Sequence, residues 1–134
     1  MPPSDIPKDL AIFRLEQARE CLQDARLPGA SLKVAANRSY YCIFDAMRAV
    51  LAFDRFDSKK HSGVISAFRK GYIRTGIFPV EFSKIIEKAF EIRVNSDYKE
   101  FYLVPKAEVA AQVENAETFL EAVEKYVGEI IKPQ

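Results

Sequence analysis

Hydrophobic residues recur along this chain at three- and four-residue spacing, the period of an amphipathic helix. From about Ile6 to Arg26, Leu10, Phe13, Ala18, Cys21, Leu22 and Ala25 keep that spacing. Lys8, Arg14, Glu16, Arg19 and Asp24 fall between them, where they can face water. From about Ala30 to Phe53 the pattern runs through Leu32, Ala35, Ala36, Tyr40, Ile43, Met47, Val50 and Leu51. That stretch is apolar on more than one side, which predicts a central helix or one with a second contact face. A shorter helix is predicted over Lys59 to Tyr72, with Val64, Ile65 and Phe68 inward. Another is predicted from Val80 to about Lys99, with Phe82, Ile85, Ile86, Ala89, Phe90 and Ile92 inward. The last runs from about Lys106 to Ile131, where Val109, Val113, Ala116, Phe119, Leu120, Val123, Val127 and Ile130 form a long stripe.

Proline and glycine break the pattern at Pro28-Gly29, between Gly76 and Pro79, and at Pro105. A fourth break falls at Asp54-Arg55-Phe56-Asp57-Ser58, where cap-type residues replace apolar ones. No stretch alternates with the two-residue period of a strand. The fold class that follows is all-α: an up-and-down antiparallel bundle of about five helices, in a single domain over 1–134 with its core at about 8–128.

Composition changes this picture little. The 134 residues are 49% hydrophobic and 29% charged, with 20 basic and 19 acidic side chains, so a disordered tail and a globally basic histone-like binder are both excluded. Charge is uneven, however. Residues 48–74 hold Arg48, Arg55, Lys59, Lys60, Arg69, Lys70 and Arg74 against Asp54 and Asp57, whereas residues 106–134 hold six glutamates against three lysines. A basic end able to meet phosphate is one reading, and a normally solvated surface is the other. Cys21 and Cys42 sit in apolar helical patterns and read as small core residues. No apolar run nears the roughly 18 residues of a membrane span, and Met-Pro-Pro-Ser-Asp does not begin a signal peptide. A cytoplasmic setting without membrane contact is therefore expected. There is no P-loop, Rossmann fingerprint, nucleophile elbow or HExxH, and His61 stands without a second histidine, so no metal and no cofactor is expected.

Four local patterns occur in order: Asn37-Arg38-Ser39-Tyr40-Tyr41-Cys42-Ile43-Phe44, Lys60-His61-Ser62-Gly63-Val64-Ile65-Ser66-Ala67-Phe68, Arg93-Val94-Asn95-Ser96-Asp97-Tyr98, and a closing glutamate-rich helix. Together they resemble the HEPN family, in particular its small stand-alone prokaryotic branch. The resemblance implies a helical bundle that pairs as a homodimer. It also implies a minimal nucleotidyltransferase partner in a toxin–antitoxin-type module, with nucleotide or RNA as ligand. In the family's ribonuclease branch an arginine, followed after four to six residues by a histidine, cleaves RNA without metal. Here Arg93 is present, but Asp97-Tyr98 stands where the histidine would fall. A tyrosine with a pKa near about 10 is a poor base at neutral pH. Arg93 can stabilise charge on a phosphorane, but it cannot take the proton from the 2′-hydroxyl.

By the resemblance, the candidate nucleotide- or RNA-binding residues are Arg93, Asn95, Asp97, Tyr98, Arg38, Lys60 and His61. No catalytic set is complete, and Arg93 with Tyr98 or His61 is the conditional one. Arg55 and His61 are separated by five residues and mimic the motif, but at the wrong helix, so they read as coincidence; a composite site requires His61 to fold beside Arg93. Each candidate also has a plainer reading. Arg93 and Asp97, four apart, can pair along one helix face. Arg38 can be a structural cation paired with Asp97 or Asp45. Tyr40, Tyr41 and Phe44 can be core or dimer-face aromatics rather than a base-stacking surface. His61-Ser62-Gly63 can be helix-start geometry rather than an anion site. Gly63 suggests close approach by another helix.

Three functions follow: a homodimeric nucleotide- or RNA-phosphate-binding partner of a nucleotidyltransferase, a metal-independent endoribonuclease, and a purely structural adaptor. If the partner modifies this chain, Tyr98 or a nearby hydroxyl is the expected acceptor.

Overall fold

Local chemistry sets where each helix starts and stops. In the computed structural model, residues 5–98, 103 and 105–132 are described, the side chains of Asp5 and Tyr98 excepted. Helix α1 (Asp5–Ala25) ends in a turn through Pro28-Gly29. Ser31 then caps α2 (Leu32–Leu51), its Oγ accepting the Val34 N–H at 3.1 Å. Past α2 a 3₁₀ turn (Ala52–Asp54) leads to Arg55 in the left-handed region at φ 55°. There the Arg55 N–H reaches the Ala52 carbonyl (3.0 Å) and the Phe56 N–H reaches that of Leu51 (3.2 Å), the paired closure of a Schellman motif. Helix α3 (His61–Phe68) runs on into a π-helical turn (Arg69–Ile73). Gly76, at φ 83°, turns the chain toward α4 (Glu81–Tyr98), and α5 (Lys106–Ile131) begins after Pro105.

These elements form the expected all-α up-and-down bundle. Helix α2 is its axis and packs against α1, α3, α4 and α5, which explains why its sequence is apolar on several sides. Small residues line its contact with α1: Ala11, Ala18, Ala46 and Ala49 are fully buried. An aromatic core fills the space among α3, α4 and α5. Phe68 stacks near Tyr72 and Phe78, and Phe82 lies 4.7 Å from Phe119. A polar tie crosses from α5 to α2, where Gln112 Nε2 donates to the Ala36 carbonyl (2.9 Å) and to Ser39 Oγ (2.8 Å). The acidic side of α5 is partly neutralised. Arg26 bonds Glu117 at 2.7 Å, Arg19 bonds Glu124, and Lys88 of α4 lies 3.4 Å from Glu108. Cys21 and Cys42 are buried free thiols. Among the described residues no helix is long and apolar enough to cross a membrane.

Helix α1 departs from the sequence reading. Phe13 is 54% exposed and Leu10 also faces outward, whereas Arg14, expected in water, is only 5% exposed. The α1–α2 contact needs small side chains, so Ala11 and Ala18 take the inner face and the larger Leu10 and Phe13 are turned out. Burial of Arg14 is tolerated because its polar head is met: Nη1 donates to the Arg48 carbonyl (2.9 Å) and Nη2 to Asp57 (3.3 Å). Leu32 and Ile130, expected inside, are also exposed. Lys99, the expected end of the fourth helix, lies outside the described residues.

Arg14→Ala is expected to lower the free energy of unfolding by about 2 kcal/mol, because it deletes two hydrogen bonds of a buried cation. Arg14→Met keeps the apolar stem and is expected to lose less. Urea denaturation followed by circular dichroism measures both. Unchanged stability in Arg14→Ala would show that this tie contributes nothing.

Candidate functional site

Successive turns of α2 carry Tyr40, Tyr41, Phe44 and Arg48, and the helical period puts Tyr40, Phe44 and Arg48 on one side. His61, first residue of α3, lies against that side. Its ring stacks on Phe44 with centroids 4.1 Å apart, and its Nδ1 is 2.7 Å from Tyr40 Oη. From α4, the Arg93 guanidinium sits 5.3 Å from the Tyr40 ring and 5.5 Å from the Tyr41 ring, and Nη2 donates to Tyr41 Oη at 3.2 Å. The Tyr40 and Tyr41 rings lie 5.7 and 5.8 Å from the His61 ring. Arg93 and His61 thus converge on the same two tyrosines, although three different helices carry these residues.

A second set of bonds holds His61 in place. Asp57 accepts from Arg48 (3.1 Å), from Arg14 (3.3 Å) and from the Ser58 N–H (2.9 Å), and Ser58 Oγ accepts the Lys60 N–H at 3.1 Å. The loop leading into α3 is therefore tied to both α1 and α2. Gly63 completes the fit. A Cβ there would lie 2.5 Å from Ser58 Oγ, so the close approach comes from this loop and not, as the sequence suggested, from another helix.

Charge sets the protonation states. Burial, then the positive Arg93 and Arg48, hold the His61 pKa below its ordinary value, which favours neutral imidazole. Burial pushes the Tyr40 hydroxyl well above its ordinary value, so it stays protonated. Hydrogen bonds from Arg48 hold the Asp57 carboxyl below the ordinary carboxylate range. The His61–Tyr40 bond permits two tautomers. If Nδ1–H donates to Tyr40 Oη, Nε2 is left as a base; if Tyr40 donates, Nε2 carries a proton. Arg93 is 19% exposed at its side chain and its Nε, 3.6 Å from Asp97 Oδ2, is buried without a hydrogen bond. The Tyr40 and Phe44 rings beneath are buried in the core, so Arg93, His61 and the half-buried Tyr41 are what the site presents, and a guanidinium beside a neutral imidazole suits a phosphate.

The other sequence candidates are placed as follows. Asp97 makes the expected ion pair with Arg93. Arg38 does not pair with Asp97 or Asp45. Its guanidinium bonds Asn37 Oδ1 (2.6 and 3.0 Å) and lies 5.3 Å from the Tyr41 ring, while Arg48 takes Asp45 at 3.8 Å. A neutral amide and a ring face satisfy Arg38 more locally than either carboxylate. Lys60 is the exposed residue before α3. Asn95 is half-buried on α4, about 200° round the helix from Arg93. The Tyr98 side chain lies outside the described residues. Arg55 lines a groove against α1 formed with Ile6, Leu10 and Phe56. The reading of Tyr40, Tyr41 and Phe44 as core aromatics holds for Tyr40 and Phe44, which are buried, whereas Tyr41 is half-buried. Arg48 was not among the sequence candidates for the site, and the signal that could have found it is its four-residue spacing from Phe44. Among the described residues no three His, Cys, Asp or Glu side chains are grouped as a metal ion would need.

Comparison with known proteins gives a consistent set. The family model of the HEPN domain matches residues 11–126. A UPF0332 protein of Thermotoga maritima is 36% identical over 116 residues, 85% of this chain and 88% of the relative. Two proteins of Methanocaldococcus jannaschii bear the name "putative toxin". One is 29% identical over 119 residues, 87% of this chain and 88% of its own. The other is 32% identical over 93 residues, 69% of this chain and 63% of its own.

The chain has one histidine, so its imidazole proton resonance can be titrated by NMR without ambiguity. Its midpoint is expected below about 6.5 and is expected to rise in Arg93→Met, where one repelling charge is gone. The unfolded chain then holds the extra proton in the window just below about pH 6.5, so stability should rise with pH through that window. A midpoint unmoved by Arg93→Met would contradict the proximity of the two groups.

Proposed function

The chain belongs to the HEPN family, and from that premise we propose that it is a homodimeric, toxin-type member that binds the phosphate of a nucleotide or of RNA at the Arg93–His61 site, as the partner of a nucleotidyltransferase. The observation that carries this reading is the convergence of Arg93 and His61 on the Tyr40–Tyr41 pair. Arg93 supplies the charge and the donors, Asp97 orients it, Arg38 adds positive potential, and the half-buried Tyr41 ring offers an edge for a base, while Tyr40 and Phe44 back the site from the core. The relatives named as toxins support the biological setting. Ile6, Leu10 and Phe13 lie exposed along one side of α1 and offer apolar area for pairing. The whole chain acts as one helical domain in a cytoplasmic module.

One observation favours a second reading, a metal-independent endoribonuclease. The imidazole missing from the α4 motif is supplied in space by α3. With Nδ1–H bonded to Tyr40, Nε2 of His61 takes the proton of a 2′-hydroxyl, and the 2′-oxygen attacks the adjacent phosphorus. The 5′-oxygen leaves, taking the proton now held on His61 Nε2, and a 2′,3′-cyclic phosphate remains. Arg93 meets the charge gained by the phosphorane.

A fluorescein-labelled oligoribonucleotide in EDTA tests both readings. Arg93→Ala is expected to weaken binding by about tenfold or more, the scale of a charge-assisted hydrogen bond. On the nuclease reading, the native chain also yields cyclic-phosphate ends and His61→Ala yields none. Wild-type binding by Arg93→Ala would remove the site. A variant that only melts earlier, with no RNA affinity in the native chain, would leave the structural adaptor. Co-expression with a minimal nucleotidyltransferase, followed by intact-mass measurement, is expected to show an added nucleotide that Tyr98→Phe loses. An unchanged mass would count against that partnership.

A further inference from the structure

Beyond α3 the chain does not continue as an ordinary helix. At the π-helical turn the Arg74 N–H bonds the Arg69 carbonyl at 2.8 Å, five residues back, and both arginines face the same groove. Together with Lys70 they line a groove of about 330 Å³ whose other walls include Ser62 and Ser66 of α3 and Phe90 of α4. Among the described residues no carboxylate lines it, and none of the three cations has an ion-pair partner. Arg69 is held across the groove by donation from Nη2 to the Ser83 carbonyl (3.1 Å), and its Nε is buried without an acceptor. Arg69 is therefore fixed in the groove, with the exposed Lys70 and Arg74 beside it.

The groove adjoins the Arg93–His61 site. Ser62 follows His61 directly, and Phe90, which walls the groove, has its ring 6.2 Å from that of Tyr40. We propose that this groove is a second phosphate subsite, taking a neighbouring phosphodiester of the same RNA strand whose first phosphate is gripped by Arg93. The inference rests on the reading that Arg93 and His61 bind an RNA phosphate. Lys70 and Arg74 supply charge to the backbone, Arg69 supplies a fixed donor, and Ser62 and Ser66 offer hydroxyls to ribose or phosphate oxygens. The volume lies at the low end of ligand pockets, which suits one nucleotide unit of an extended strand. A ligand spanning both sites would be a single strand, since its bases must leave one another to meet separate aromatic walls.

The test measures anisotropy of a fluorescein-labelled oligouridylate against potassium chloride concentration. It compares the native chain with Lys70→Ala/Arg74→Ala, Arg93→Ala and the charge control Lys8→Ala/Lys125→Ala. All the substituted lysines, and Arg74, are exposed, and melting curves check that each variant is folded. Lys70→Ala/Arg74→Ala is expected to weaken binding about tenfold and to flatten the slope of log K against log salt by about 1.4, or 0.7 for each lost phosphate contact. The control is expected to keep the native slope. Native slope and affinity in Lys70→Ala/Arg74→Ala, with loss in Arg93→Ala, would overturn the groove and leave the Arg93 site standing. Loss in the groove variant with native binding by Arg93→Ala would overturn the Arg93 reading instead, and with it the idea of two subsites on one strand. An equal change in the charge control would reduce the groove to general electrostatics and overturn it.

Discussion

A guanidinium withdrawn from water has to be met by acceptors or by ring faces, and a second positive group beside it must then give up its own proton. That constraint organises one end of this bundle. Arg93 is met by two tyrosine rings, a tyrosine hydroxyl and Asp97, so the charge persists where few water molecules reach it. His61, touching the same rings, is kept neutral by burial and by the cations around it. A fixed cation beside a neutral imidazole is a pairing that suits phosphate, because the anion supplies the charge the arginine lacks and an acceptor for any proton the imidazole carries.

The rest of the fold maintains this arrangement. Helix α2 supplies the rings, and its central position lets residues from α3 and α4 reach the same side chains. The loop before α3 is rich in Asp, Ser and Lys. Asp57 ties it to Arg14 and Arg48, and Ser58 packs where only a glycine at position 63 leaves room. Burial of Arg14 thus has a consequence far along the chain, since it helps fix the residue from which His61 projects.

Much of this was legible in the sequence, for local reasons. Helix periods, the breaks at glycine and proline, and the Arg93–Asp97 pair depend on residues a few positions apart, and they agree with the structure within a residue or two at most helix ends. The inward set of α3, Val64, Ile65 and Phe68, was likewise visible in the spacing. What failed depended on neighbours far away in the chain. Arg14 looks like a surface charge until the Arg48 carbonyl, 34 residues on, is placed beside it. Phe13 looks like core until the α1–α2 contact proves to be made of alanines. The Tyr40–His61 bond joins residues 21 apart across a break, and no periodicity carries that distance. The motif reading located Arg93 and noted the missing histidine, but only the packing of α3 on α2 brings His61 against the same two tyrosines as Arg93.

The central claim is that Arg93 and His61 act on one and the same anion. A double-mutant cycle on oligoribonucleotide affinity addresses it directly, with Arg93→Ala, His61→Ala and the two combined measured beside the native chain. Each single change should weaken binding, and the double variant should lose little more than the larger single loss, because either deletion already spoils the shared contact. Losses that add in full would mean two independent sites, and a single convergent one would have to be abandoned.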